Sequence, residues 1–207
     1  MAEFPKPFPT PSEFSLNVDF QDVATGRGYI EFFAGELDTG KVLSTINFYA
    51  TFTKLKTILT NVAADEDFDV VIQQPISFQG DVIVTLPAYF QNKNVGNETP
   101  SSTVTVKLRK WDGTTETDLA TDAVTVADTL TPGEIRGQIF TTKLTMPRTH
   151  FAKGETLRLT IAGTATGSAG EVLWIYRDPA DRSVTTDAAY PLDTSKLNVQ
   201  IPVVIDT

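Results

Sequence analysis

His150 is the single imidazole among 207 residues, so any Ser–His or His–metal chemistry has to run through it. A hydroxyl nucleophile needs a base beside it. His150 stands in Pro147-Arg148-Thr149-His150-Phe151, next to a predicted turn. No Gly-x-Ser-x-Gly elbow accompanies it. Thr166-Gly167-Ser168-Ala169-Gly170 has the wrong spacing and reads as a small-residue loop. His150 is therefore expected to be a structural or surface residue. The chain has no Cys, which excludes a disulfide scaffold, a thiolate zinc site, an iron–sulfur cluster and a Cys nucleophile. Neither Gly-x-x-x-x-Gly-Lys nor Gly-x-Gly-x-x-Gly occurs, so no phosphate loop is expected.

Carboxylates are plentiful, 26 against 17 Lys and Arg, for a net charge of −9. A glycosidase needs two of them at a defined separation, and no spacing singles out a pair. The densest group is Asp65-Glu66-Asp67-Phe68-Asp69. Asp67 and Asp69 alternate and offer the hard oxygen donors that calcium takes, yet the Gly and Glu of a calcium-binding loop are missing. This group reads as a solvated acidic loop, and so does Asp178, Asp181 and Asp187. Trp111 precedes Asp112-Gly113, a tight hairpin signal, and is a candidate glycan contact at the hairpin tip. Trp174 alternates within Val172-Leu173-Trp174-Ile175-Tyr176 and reads as core. No cofactor is expected, and none of these constellations amounts to an active site. The chain is expected not to be an enzyme.

Charge also bears on partners. The acidic balance argues against nucleic acid, because duplex binding needs clustered cations to displace counterions. The acid lies mainly in residues 1–100, which carry −7 against −2 for the remainder. No run of about 18 apolar residues is present, so no membrane helix is expected. The start lacks the basic and apolar regions of a signal peptide, which points to synthesis in the cytosol.

Four prolines fall within the first eleven residues. Proline fixes φ, lacks an N–H and pushes its predecessor toward extended geometry. Residues 1–13 therefore read as an extended, polyproline-like arm. Phe4, Pro5, Pro7, Phe8 and Pro9 are its candidate partner-binding residues, lying either on the chain's own domain or across a neighbouring subunit.

Residues 14–207 read as one domain, with a possible subdivision near 75. Helical periodicity is scarce, while period-two alternation recurs. Strands are expected at Phe14–Phe20, Tyr29–Ala34, Val42–Ala50, Phe68–Gln73 and Gly80–Gln91. Further strands are expected at Thr103–Trp111, Thr115–Ala120, Ala123–Ala127, Ile135–Met146, Glu155–Ala165, Glu171–Tyr176 and from Leu197 onward. Phe52–Ala63 reads as strand or irregular. Pro147 is expected to stop its strand, and Pro202 to mark an edge or a bulge. Residues 178–195 read as a polar loop. The 31 Thr suit the wet faces of half-buried strands. The fold class expected is all-β, an antiparallel β-sandwich of jelly-roll type.

Three segments carry a resemblance: Leu108-Arg109-Lys110-Trp111-Asp112-Gly113-Thr114-Thr115-Glu116-Thr117, His150 through Thr160, and Arg177-Asp178-Pro179-Ala180-Asp181-Arg182. Together they resemble uncharacterised structural proteins of tailed bacteriophages. Gly154-Glu155-Thr156-Leu157-Arg158-Leu159-Thr160 is similar to segments of jelly-roll domains generally, sugar-binding ones included. The resemblance covers roughly residues 103–182 and includes no catalytic residue. It implies a capsid decoration or cement protein, homo-oligomeric and bound to the major capsid protein or other virion subunits, in a virion assembled in the host cytoplasm. A carbohydrate- or receptor-binding module of a head or tail fibre is the alternative.

Overall fold

A computed structural model describes residues 27–37, 40–46, 55–58, 64–166, 171–178 and 197–204. Eleven strands run through them: β1 (Arg27–Leu37), β2 (Gly40–Ser44), β3 (Leu55–Ile58), β4 (Ala64–Val71), β5 (Ile76–Asn92), β6 (Ser101–Trp111), β7 (Glu116–Ala127), β8 (Ile135–Phe151), β9 (Thr156–Thr166), β10 (Glu171–Asp178) and β11 (Asn198–Val204). The cause is visible in β6. Val104, Val106 and Leu108 are buried, while the residues between them are polar and turned outward. A period of two places one apolar face on the core and leaves the other to water.

All eleven strands join one sheet, in the order β3-β10-β5-β11-β1-β2-β4-β9-β6-β7, with β8 added on β5. Pairing is antiparallel except between β2 and β4, which meet in parallel at Val42 and Asp69. β5 is the hub. One side carries β8 from Phe151 opposite Ile76 to Ile135 opposite Gln91. The other side is shared, β11 taking Ser77 to Thr85 and β10 taking Ala88 to Asn92. The sheet curls nearly into a barrel, so that β7 and β8 come to face each other. No ladder joins them. Side chains close this seam instead: the Thr142 hydroxyl donates to Asp122, Gln138 Nε2 lies 2.6 Å from Asp128 Oδ2, and Arg136 Nη1 lies 3.0 Å from Asp128 Oδ1.

One core fills the interior. Phe32, Phe68, Phe78, Phe90, Phe151, Leu86 and Leu108 are fully buried in it. Phe78 and Phe151 meet edge to face with centroids 5.5 Å apart, a geometry that the ring quadrupoles favour. The all-β, sandwich-like expectation stands.

Several local readings change. Within Phe52–Ala63, read as strand or irregular, Leu55–Ile58 takes the strand alternative and pairs with β10. The two strands expected at 115–127 are one. Pro147 does not end β8, which continues to Phe151. The reason lies in β5. Phe78 pairs with Thr149 and Gly80 with Met146, so Pro147 and Arg148 bulge opposite Gln79. On the other flank, Gln200 pairs with Ile83 and Val203 with Phe78, which leaves Pro202 outside the β5 register. A strand proline is tolerated where no ladder donor is needed. One kink at Gln79–Gly80 therefore accommodates a proline on each neighbouring strand. Gly80 has φ +123°, a conformation that side chains other than hydrogen resist. The arm of residues 1–13, the Phe14–Phe20 strand and the loop from residue 179 to 195 lie outside the described residues.

Candidate functional site

Asp67 and Asp69 belong to strand β4 rather than to a loop. Both are joined to cations and hydroxyls of the neighbouring strands. The register places Asp69 beside Arg158 on β9, Arg158 beside Arg109 on β6, and Arg109 beside Asp118 on β7. Two arginines directly opposite one another repel, so carboxylates have to interleave. Arg158 grips Asp69 with two bonds, Nε to Oδ1 at 2.7 Å and Nη2 to Oδ2 at 2.8 Å. Its Nη1 reaches Glu116 Oε1 at 2.7 Å. Arg109 Nη1 reaches the other Glu116 oxygen at 3.1 Å, and Arg109 Nε lies 2.9 Å from Asp118. The Thr160 hydroxyl donates to Asp67 at 2.5 Å. The Asp69 carboxylate raises the Arg158 guanidinium pKa above its ordinary value. Such two-pronged charge-assisted bonds are the strong ones. Their chemistry here is cohesion across four strands. Among the described residues, no group of three or more His, Cys, Asp or Glu is arranged to hold a metal.

Trp111 ends β6, with Thr156 beside it on β9 and Glu116 on β7. Val71 continues the row beyond Thr156 and is 48% exposed. Trp111 itself is half-buried. The following turn is held by Asp112, whose Oδ1 accepts from the Thr114 and Thr115 amides at 2.8 and 2.7 Å. Those bonds, the Thr115 one foremost, hold the Asp112 carboxyl below the usual range. Gly113 takes φ +97°, as the tight turn requires.

His150 has a partner that its sequence context does not show. Ser77, 73 residues away, faces it across the β5–β8 ladder with Oγ 3.3 Å from Nδ1. Ser77 is buried at 5% exposure, so its hydroxyl is not offered to a substrate. Lys110 Nζ donates to the His150 carbonyl at 2.8 Å, pairs with Glu155 at 2.7 Å and lies 5.3 Å over the Phe151 ring. That ammonium holds the Glu155 carboxyl below its ordinary range. Together these contacts fasten the β8–β9 turn to β6.

A concave site lies elsewhere, on the outer face of β1, β11 and β5. It measures about 370 Å³ and is lined by Tyr29, Gln79, Gly80, Asp81, Pro202 and Val204. It is the cavity that the β5 kink opens. Tyr29 pairs with Pro202 and remains 51% exposed. A Cβ on Gly80 would stand 3.4 Å from the Pro202 ring, so glycine keeps the floor clear. Asp81 at the lip is bonded to Lys143 Nζ at 3.0 Å and Thr145 Oγ1 at 2.9 Å. These two bonds, Lys143 first, hold its carboxyl below the ordinary range. Nothing in local sequence announces this cavity, because three strands remote in the chain build it. Phe4, Pro5, Pro7, Phe8 and Pro9 lie outside the described residues.

The sequence matches no protein-family model and no curated protein. Solved structures are similar to it in fold. Two structures of a CocE/NonD family hydrolase from Staphylococcus aureus align with 86% of this chain at 11% identity, with TM-scores of 0.52 and 0.53. The chain spans 37% of the length of those hydrolase chains. A structure of infectious bursal disease virus, Gt strain, aligns with 84% of this chain and 42% of its own at 15% identity, with a TM-score of 0.29. A value that low distinguishes no function. The hydrolase likeness overturns the expectation that the chain is not an enzyme. A fold carried inside hydrolase chains does not set this one apart from enzymes, and the lack of a recognisable motif was too little to exclude them.

Proposed function

We propose that the chain is a virion structural protein that decorates or cements a tailed-phage capsid. It meets the major capsid protein or other virion subunits through its N-terminal arm and the edges of its sheet, as a homo-oligomer in a virion assembled in the host cytoplasm. The observation that supports this reading most is the exposure of Ile139, 51%, on edge strand β8. An apolar side chain standing out from an edge strand suits burial against another protein. The neighbouring charges are engaged within the chain, Arg136 with Asp128 and Lys143 with Asp81. Co-sedimentation with heads of the encoding phage tests the reading. The chain is expected to sediment with the heads, and Ile139→Asp to weaken binding at least tenfold. A chain that stays in the supernatant at saturating heads sinks it.

The row Val71–Thr156–Trp111 favours a second reading, a carbohydrate- or receptor-binding module. It offers an apolar and aromatic strip flanked by Glu116 on the same outer face. A glycan array would then score hits that Trp111→Ala abolishes. An array without hits removes this reading.

A further inference from the structure

We infer that the cavity on the outer face of β1, β11 and β5 is a binding site for a neutral sugar, seating a pyranose ring between Tyr29 on β1 and the pair Gln79 and Asp81 on β5. The strand order β5-β11-β1 divides the lining into two walls. Tyr29 and Val204 make an apolar wall, with the buried Pro202 as its base. Gln79 and Asp81 make a hydrogen-bonding wall on the β5 side. Gly80 puts no side chain between them. A pyranose carries the same division, with C–H bonds on its faces and hydroxyls around its rim. Slightly positive C–H hydrogens suit the negative face of an aromatic ring, and Tyr29 offers its ring at 51% exposure. Small-molecule sites are largely apolar with a few placed polar groups, and about 370 Å³ lies within their range.

The polar wall selects the charge of the ligand. Asp81 accepts from Lys143 through Oδ2 and from Thr145 through Oδ1, one bond to each oxygen. An ionised carboxylate accepts about four hydrogen bonds, so each oxygen keeps a lone pair for a hydroxyl. The two internal bonds fix the direction of those lone pairs, and hydroxyl bonds to a charged acceptor are stronger than neutral ones. Lys143 at 3.0 Å also balances the Asp81 charge, which removes the attraction that an ammonium ligand would need. An anionic ligand would meet Asp81 with no cation in the lining, on a chain of net charge −9. A neutral polyhydroxyl ring is the class left. Gln79 is exposed at the bulge opposite Pro147 and Arg148. Its amide both donates and accepts, as a sugar hydroxyl does.

This site is independent of the capsid reading and separate from the Trp111 row on β6. The test titrates the full chain with maltohexaose, cellohexaose, laminarihexaose and xylohexaose, read by saturation-transfer NMR and calorimetry, with 3′-sialyllactose as the anionic control. At least one hexasaccharide is expected to bind saturably, and sialyllactose is not. Tyr29→Ala should weaken binding at least tenfold, and Asp81→Asn and Gln79→Ala severalfold each. All three side chains are exposed, so the circular dichroism should stay unchanged. If Tyr29→Ala fails to fold, the other two variants decide. Trp111→Ala should leave the affinity as it is. Binding by none of the hexasaccharides overturns the site, and so does binding that survives the Tyr29, Asp81 and Gln79 variants. Loss in Trp111→Ala with Tyr29→Ala unaffected overturns it by moving the sugar to the Trp111 strip. Tighter binding of sialyllactose than of any hexasaccharide overturns the choice of a neutral ligand.

Discussion

The two halves of the sheet solve the same problem in opposite ways. In β4–β9–β6 every residue is in register from end to end, and the outer face, continued onto β7, is knitted by Arg158, Arg109 and four carboxylates. In β1–β11–β5–β8 the register shifts on both sides of β5, two prolines interrupt the ladders, and the outer face hollows beside an exposed Tyr29. In the first half the outward charges satisfy one another. The second gives up ladder regularity and gains a concave surface. A single sheet thus divides into a half that holds and a half that offers.

Substitutions can break this contrast, beginning with its shared support. Phe78→Ala removes a fully buried ring next to the kink and should cost about 3–5 kcal/mol in urea unfolding. Leu159→Ala, fully buried beneath the ladder, should cost about 2–5 kcal/mol. If Phe78→Ala proves much the milder, the second half relaxes around its cavity and is looser than drawn. Arg158→Ala leaves Asp69 and Glu116 without their shared cation and should cost about 2–3 kcal/mol. Lys143→Ala breaks only the exposed pair with Asp81 and should cost under about 1 kcal/mol. Equal costs would erase the distinction between the halves. Gly80→Val forces a branched side chain onto φ +123° and should cost about 1–3 kcal/mol.

The smallest effect is at the seam. The Thr142 hydroxyl holds the Asp122 carboxyl below its ordinary range. A carboxyl depressed in the folded state contributes stability above its unfolded pKa of about 3.9 and loses it as pH falls through the folded value. Thr142→Val should therefore lower the urea midpoint at pH 7 and flatten its fall as the pH drops below about 4. An unchanged acid slope would show that the seam is held by other bonds.

The contrast also explains what could be read from sequence. Val104, Val106 and Leu108 alternate cleanly, so β6 and its neighbours were legible, and Asp112-Gly113 marked the turn between β6 and β7. Pro147 misled, because proline ends a strand only where the partner strand is regular, and the partner's kink is encoded at Gly80. The acidic run of Asp65 to Asp69 read as a loop because its cations lie far along the chain, Arg158 on β9 at 89 residues from Asp69 and Arg109 on β6 about 40 from Asp67. Ser77 beside His150, and the lining of the Tyr29 cavity, are consequences of register, which no local window contains. Trp111 was placed rightly at the end of its strand, and its half-burial follows from neighbours on two other strands.

The kink has a consequence for how this sequence can change over generations. Gly80, Pro147 and Pro202 meet at one kink, where the register of β5 shifts against both neighbouring strands. A regular residue at 80 would straighten β5 and face it with two prolines that have no N–H to give. Replacing a proline alone would place a donor where the kinked strand sets no acceptor in register. Drift at any of the three is therefore epistatic, and lineages should keep all three or exchange them together.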